Sequence, residues 1–226
     1  MRLKYILLFT VPFILLTALI PSRTVLAAPI VVNVPGEHST IDAAIKYAAD
    51  QLVLHPENSY SVLVEPNSEA YTVPTGGLVL QSNIPVRGRE TARTFITGGG
   101  SGTAVIATGV TGVSFQNFTV INAGTGIHVS GNSAVTIANN VFSVGTTGTA
   151  VIIQDSGSSS VINNTFYQNG IAVQRNTDTV AITNNIFYNS TNTVKIVQTG
   201  LTENNISYNL FYPQVNAAEP KGTSTL

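Results

Sequence analysis

From residue 101 to 212 apolar and polar positions alternate in short runs, and one run keeps returning. It reads Val135-Thr136-Ile137-Ala138-Asn139-Asn140-Val141-Phe142, then Val161-Ile162-Asn163-Asn164-Thr165-Phe166, then Ile182-Thr183-Asn184-Asn185-Ile186-Phe187, then Ile206-Ser207-Tyr208-Asn209-Leu210-Phe211. A fainter copy begins at Val113 and carries Asn117 and Val120. Aligning Asn117, Asn139, Asn163, Asn184 and Tyr208 gives steps of 22, 24, 21 and 24 residues. A period in the low twenties describes a solenoid in which each repeat is one coil stacked on its neighbours. Each coil also holds an earlier strand (126–130, 150–154, 170–174 and 193–197), so three short strands make one turn. The pattern predicts an all-β fold, a right-handed parallel β-helix with about 22 residues per coil. A leucine-rich repeat shares the period, but the coils hold only two leucines, Leu201 and Leu210, and no helical side.

Two columns follow from stacking like on like. Phe142, Phe166, Phe187 and Phe211 form an inward aromatic column, and Ile127, Val151, Ile171 and Val194 form an aliphatic one. Asn117, Asn139, Asn163 and Asn184 form a structural Asn column. Strands about 4.8 Å apart would let each carboxamide donate and accept along the stack, and Asn tolerates the left-handed backbone of a tight corner.

The pattern changes between residues 29 and 100. Ser39-Thr40-Ile41-Asp42 reads as a capping box, and Ile41, Ala44, Ile45, Ala48 and Leu52 share one helical face. That amphipathic helix ends near His55-Pro56 and predicts a cap over the first coil, whose apolar end would otherwise meet water. Short extended runs at 61–64, 71–73, 77–80, near Val86 and at 94–96 read as first, irregular coils. The chain thus divides into 1–28, 29–100, 101–212 and a polar tail over 213–226.

The first segment has Arg2 and Lys4, an apolar run from Tyr5 to about Ile20, and small residues at Ala27 and Ala28. This is the pattern of a secretory signal peptide, so the expected location is secreted or cell-surface (periplasm included), with no membrane span after cleavage. No cysteine contributes disulfides or thiolate chemistry. Without Arg2, Lys4 and Arg23, seven basic residues face eleven acidic ones, a balance of −4. That field repels a phosphate backbone, which excludes nucleic acid as the expected partner. Charge is scarce, and a surface of Asn, Thr, Ser and Gly suits polysaccharide or a cell-surface glycan. The last coil has no evident second cap, so self-association through its edge is a further expectation.

The chain resembles the pectate-lyase-like superfamily of right-handed parallel β-helix proteins. Ser39 to Ile45 is similar to the cap helix of that superfamily, Val86-Arg87-Gly88 and Thr94 to Gly99 resemble its lead-in strands, and the Asn-Asn-x-Phe phrases resemble its coils. The resemblance implies a substrate along the outer face of the first strand and its loops. There the substrate-binding candidates are His128, Gln154 and Gln174, and the catalytic candidates are Asp155, Asp178, Arg175 and Lys195. Alternation places His128, Ile152, Ala172 and Lys195 in one outward column, and Ser130, Gln154, Gln174 and Val197 in the next.

Asp155 and Asp178 lie one coil apart, within reach of the carboxyl separation a glycoside hydrolase uses. Asn176-Thr177-Asp178 echoes a polygalacturonase triplet, but the rest of that pattern is missing. A calcium-dependent lyase needs several carboxylates, whereas the coils hold only Asp155, Asp178 and Glu203. No complete catalytic constellation results, and no cofactor or metal site is expected unless the lyase reading, with its calcium, holds. The sequence favours a non-catalytic exported scaffold contacting carbohydrate; the alternative is a polysaccharide lyase or hydrolase acting on acidic, pectin-like glycans.

Overall fold

A computed structural model describes residues 28–155, 157–177, 179–196 and 205–212. Its strands form three parallel sheets along a solenoid, each successive strand one coil further on. Sheet I contains Leu78–Val79, Thr103–Thr108, Thr125–Ser130, Thr149–Ile153, Ile171–Arg175 and Asn192–Ile196. Sheet II, reached through a loop of a few residues, contains Ile30–Val34, Tyr60–Val64, Val86–Gly88, Val113–Gln116, Val135–Ala138, Ser160–Ile162, Ala181–Thr183 and Ile206–Ser207. Sheet III follows after longer loops in the first two coils and a two-residue corner from Val113–Gln116 onward, and contains Tyr71–Thr72, Phe95–Thr97, Thr119–Ile121, Val141–Ser143, Thr165–Tyr167, Ile186–Tyr188 and Leu210–Tyr212. This is the right-handed β-helix that the repeat predicts.

The helix Ile41–Leu54 buries Ile41, Ala44, Ile45 and Ala48 against the first coil, as its periodicity requires. Its N-cap is Thr40 rather than Ser39: Thr40 is extended and its hydroxyl accepts the Ala43 N–H at 3.4 Å. Ile30–Val34, a β-branched run not counted among the expected strands, adds a further strand to sheet II beside Tyr60–Val64.

The Phe column forms as expected. Phe142, Phe166, Phe187 and Phe211 stack at centroid steps of 5.3, 4.9 and 4.9 Å, with ring planes within 9°. The Asn pair divides its work. Asn117, Asn139, Asn163 and Asn184, with Tyr208 after them, take positive φ of 56–64° at the corner between sheets II and III. Asn139, Asn163 and Asn184 are exposed, and the side-chain ladder expected of this column is built by the next residue. Asn140, Asn164, Asn185 and Asn209 are buried, and each carboxamide of the first three donates to the Oδ1 of the next at 3.0–3.1 Å. The same Oδ1 atoms accept the backbone N–H of the coil before, at 2.8–2.9 Å. Phe118 stands at the head of this column, where its N–H donates to Asn140 Oδ1 and its ring stacks on Phe115 at 4.5 Å. At this two-residue corner the first residue takes the left-handed conformation and faces solvent, and the second turns into the wall.

Candidate functional site

Sheet I presents the face to which the sequence assigns its site residues. Its strands share one burial pattern: the second and third residues face inward, the fourth outward and the fifth inward again. The second position is always small (Ala104, Gly126, Ala150, Ala172) because it abuts the core. A Cβ on Gly126 would lie 2.4 Å from the Ala150 carbonyl oxygen and 3.1 Å from the Phe142 ring.

The fourth position makes the outward column. Strand pairing aligns Ile106, His128, Ile152, Gln174 and Lys195. This corrects the sequence alignment by two residues: Gln174, not Ala172, follows Ile152, and Val173, not Ile171, continues the inward column of Ile127 and Val151. Ala172 is fully buried. Ideal alternation cannot detect a slip of two, but these strands depart from it with two consecutive inward residues, which is why Ala172 is inside and Gln174 outside.

Half-buried His128 places Nε2 3.1 Å from Oε1 of Gln154, which belongs to the neighbouring coil. Thr108 and Ser130, paired in register, share a hydroxyl hydrogen bond of 3.0 Å. Gln174 is half-buried in the His128 column, and Lys195 follows it by backbone register. The result is a row of hydroxyl, imidazole and carboxamide groups running along the solenoid axis.

Arg175 leaves the candidate surface. The sequence reading puts it in the outer loop, but it is the last residue of Ile171–Arg175 and is fully buried in the inward column of Val129 and Ile153. Its Nη1 donates to the Thr177 carbonyl at 3.3 Å. The strand runs one residue further than the pattern suggests, and the fifth position faces in. Asp155 is exposed at a left-handed turn (φ 45°), where its N–H donates to Asn176 Oδ1 at 3.0 Å and its Oδ1 accepts from Asn176 Nδ2 at 3.4 Å. The Asp155 carboxylate thus lies beside an Asn of the following coil. Asp178 lies outside the described residues, as do the N-terminal residues up to 27, where the signal peptide is expected, and the tail from residue 213.

Among the described residues no three His, Cys, Asp or Glu side chains converge as a metal would need. No helix among them is long and apolar enough to cross a membrane. Titration is perturbed at the other end of the rod, where Arg89 donates to Glu65 from Nε and Nη2 at 2.5 and 2.6 Å. Those bonds hold the Glu65 carboxyl below its ordinary 4.5 and raise Arg89. Nearby, burial raises Tyr71, whose hydroxyl donates to the Glu65 carbonyl. A cavity of about 220 Å³ beside the helix start is lined by Thr40, Asp42, Tyr71 and Leu78, away from sheet I's candidate row.

The sequence reading missed a set of exposed residues on sheet III. Tyr167, Tyr188 and Tyr212 stack outside the Phe column at 5.6 and 5.5 Å. Their signal was legible, since each follows a Phe of the repeat.

Residues 92–223 match the family model described as right handed beta helix region. No curated protein matches the sequence. Among solved structures the chain is similar to the A-module of mannuronan C-5 epimerase AlgE6 from Azotobacter vinelandii, at 15% identity and a TM-score of 0.38, over 76% of this chain and 59% of that one. The family model covers more than half of the sequence and coincides with the stacked coils, and on that ground the chain belongs to the right-handed β-helix family.

Proposed function

We propose that this chain is an exported β-helix scaffold that contacts polysaccharide along the outer face of sheet I and breaks no bond itself. The observation that carries the reading is the set of polar side chains linked along that face. Thr108–Ser130 and His128–Gln154 are linked coil to coil, and Gln174 extends the row. Groups that both donate and accept, alternating in the column with Ile106 and Ile152, suit the hydroxyls and apolar faces of sugars. The inward turn of Arg175 removes one of the two cations that a lyase on this face would use, and Asp155 is engaged by Asn176.

The test is affinity electrophoresis of the mature protein through gels containing polygalacturonate, alginate or neutral glycans. It runs beside reducing-end and unsaturated-product assays with and without calcium. Retardation without product, weakened in His128→Ala and Gln174→Ala variants, supports the scaffold. Product that disappears in Asp178→Ala or Lys195→Ala variants establishes the lyase or hydrolase reading instead.

A further inference from the structure

Sheet III carries a second surface, independent of the row on sheet I. Its strands Thr165–Tyr167, Ile186–Tyr188 and Leu210–Tyr212 turn Phe inward and leave two rows outside: Tyr167, Tyr188 and Tyr212 in one, Ile186 and Leu210 in the other. These five side chains are 39% to 59% exposed. Large apolar side chains are gathered here into two ordered rows on a charge-poor surface. No Asp, Glu, Lys or Arg occurs on these three strands. The phenols make no hydrogen bond to the protein among the described residues, so their hydroxyls are open to a ligand. Ring stacking already fixes the side chains, which lowers the entropy that binding must remove.

The size of the patch selects its occupant. Three strands about 4.8 Å apart, each contributing two outward residues roughly 7 Å apart, span on the order of 100–200 Å². A stable protein partner or a second copy of this chain needs about 800 Å² from each side. The patch is too narrow for either, but it fits a row of three sugars. The absence of charge disfavours a polyuronate, which would lose hydration and gain no counter-charge.

We infer that sheet III binds a neutral, extended β-1,4-linked polysaccharide lying parallel to the solenoid axis. The sugar rise of such a chain is close to one strand spacing, so successive residues meet successive coils. Their C–H faces rest on Ile186 and Leu210, and their hydroxyls reach the Tyr167, Tyr188 and Tyr212 phenols.

Affinity electrophoresis of the full mature chain in hydroxyethylcellulose, galactomannan and polygalacturonate tests this. Wild type is retarded by the two neutral polymers, and Tyr188→Ser lowers that affinity about tenfold, as loss of a central anchor does. Lys46→Ala, on the exposed side of the capping helix, leaves it unchanged. Tyr212→Ser on the last described strand serves if Tyr188→Ser disturbs folding by circular dichroism. Failure of both neutral polymers to retard wild type overturns the inference. So does wild-type affinity in the folded Tyr variants, or an oligomer that the Tyr variants dissolve without altering glycan affinity. Because the Tyr variants and those of His128 and Gln174 lie on different sheets, loss of this inference leaves the reading of sheet I standing, and the reverse.

Discussion

Replacing Asn164 with Ala removes the middle rung of the buried carboxamide ladder and nothing else of consequence. Asn164 Oδ1 accepts from the Asn140 N–H at 2.9 Å and from Asn140 Nδ2 at 3.1 Å. Its Nδ2 donates to the carbonyls of Ile137 (2.9 Å) and Ile162 (3.1 Å) and to Asn185 Oδ1 (3.1 Å). The variant leaves the buried Asn140 N–H without an acceptor, which alone costs about 1–3 kcal/mol, and the remaining lost bonds bring the total to about 3–5 kcal/mol. Its neighbour Asn163 supplies the left-handed corner at φ 57° but is exposed. There Ala costs about 1 kcal/mol through backbone strain, and Gly should be nearly neutral. Urea unfolding followed by far-ultraviolet circular dichroism measures both. At this chain length the Asn164→Ala midpoint should fall by roughly 10 °C in a thermal scan. A loss below about 1 kcal/mol, or one equal to that of Asn163→Ala, would refute the assignment of the ladder to the second Asn of each pair.

Three further outcomes follow from the same geometry. Gly126→Val forces a side chain against the Ala150 carbonyl and the Phe142 ring, so it should cost about 1–3 kcal/mol in urea unfolding, whereas the exposed Gly145→Ala, with open space around it, should cost only backbone strain. Arg175→Ala should lower the unfolding midpoint while leaving glycan retardation in the gels unchanged, since the guanidinium is inside the coil. Glu65→Gln should remove a pH-dependent increment: the folded carboxyl is held below 4.5 by Arg89, so its contribution is present above that value and is lost as pH falls through the lowered one. Urea midpoints of wild type and variant should therefore separate above 4.5 and converge as pH falls through the lowered value, by a small amount because solvent reaches both partners.

Much of the architecture was legible because the repeat writes each coil in the same words. Helix, coil period, Phe column and the outward turn of His128 all follow from spacing, since core identity recurs wherever the same wall position recurs. The remainder turned on shifts of one or two residues that pattern cannot weigh. Which Asn of a pair faces inward depends on where the corner falls, and the corner needs left-handed backbone at the first. Placing Ile171 beneath Val151 preserved the alternation, yet the coil entering Ile171–Arg175 pairs two residues later. Arg175 was read as a loop residue because a charged side chain is rarely inside, and only coordinates reveal that the strand reaches it. The tyrosines of sheet III follow inward Phe residues and so are legible as outward positions, but periodicity alone does not separate an outward aromatic row from an ordinary exposed face.

Register is the central structural claim, and introduced cysteines test it directly, since the chain has none of its own. Neighbours across a parallel ladder lie within the Cα separation a disulfide accepts. Ile152→Cys combined with Gln174→Cys should form an intramolecular disulfide under mild oxidation, whereas Ile152→Cys combined with Ala172→Cys should remain reduced, because Ala172 is buried and out of register. Ready crosslinking of the second pair, or none in the first, would contradict the stacking on which the sites of both sheets depend.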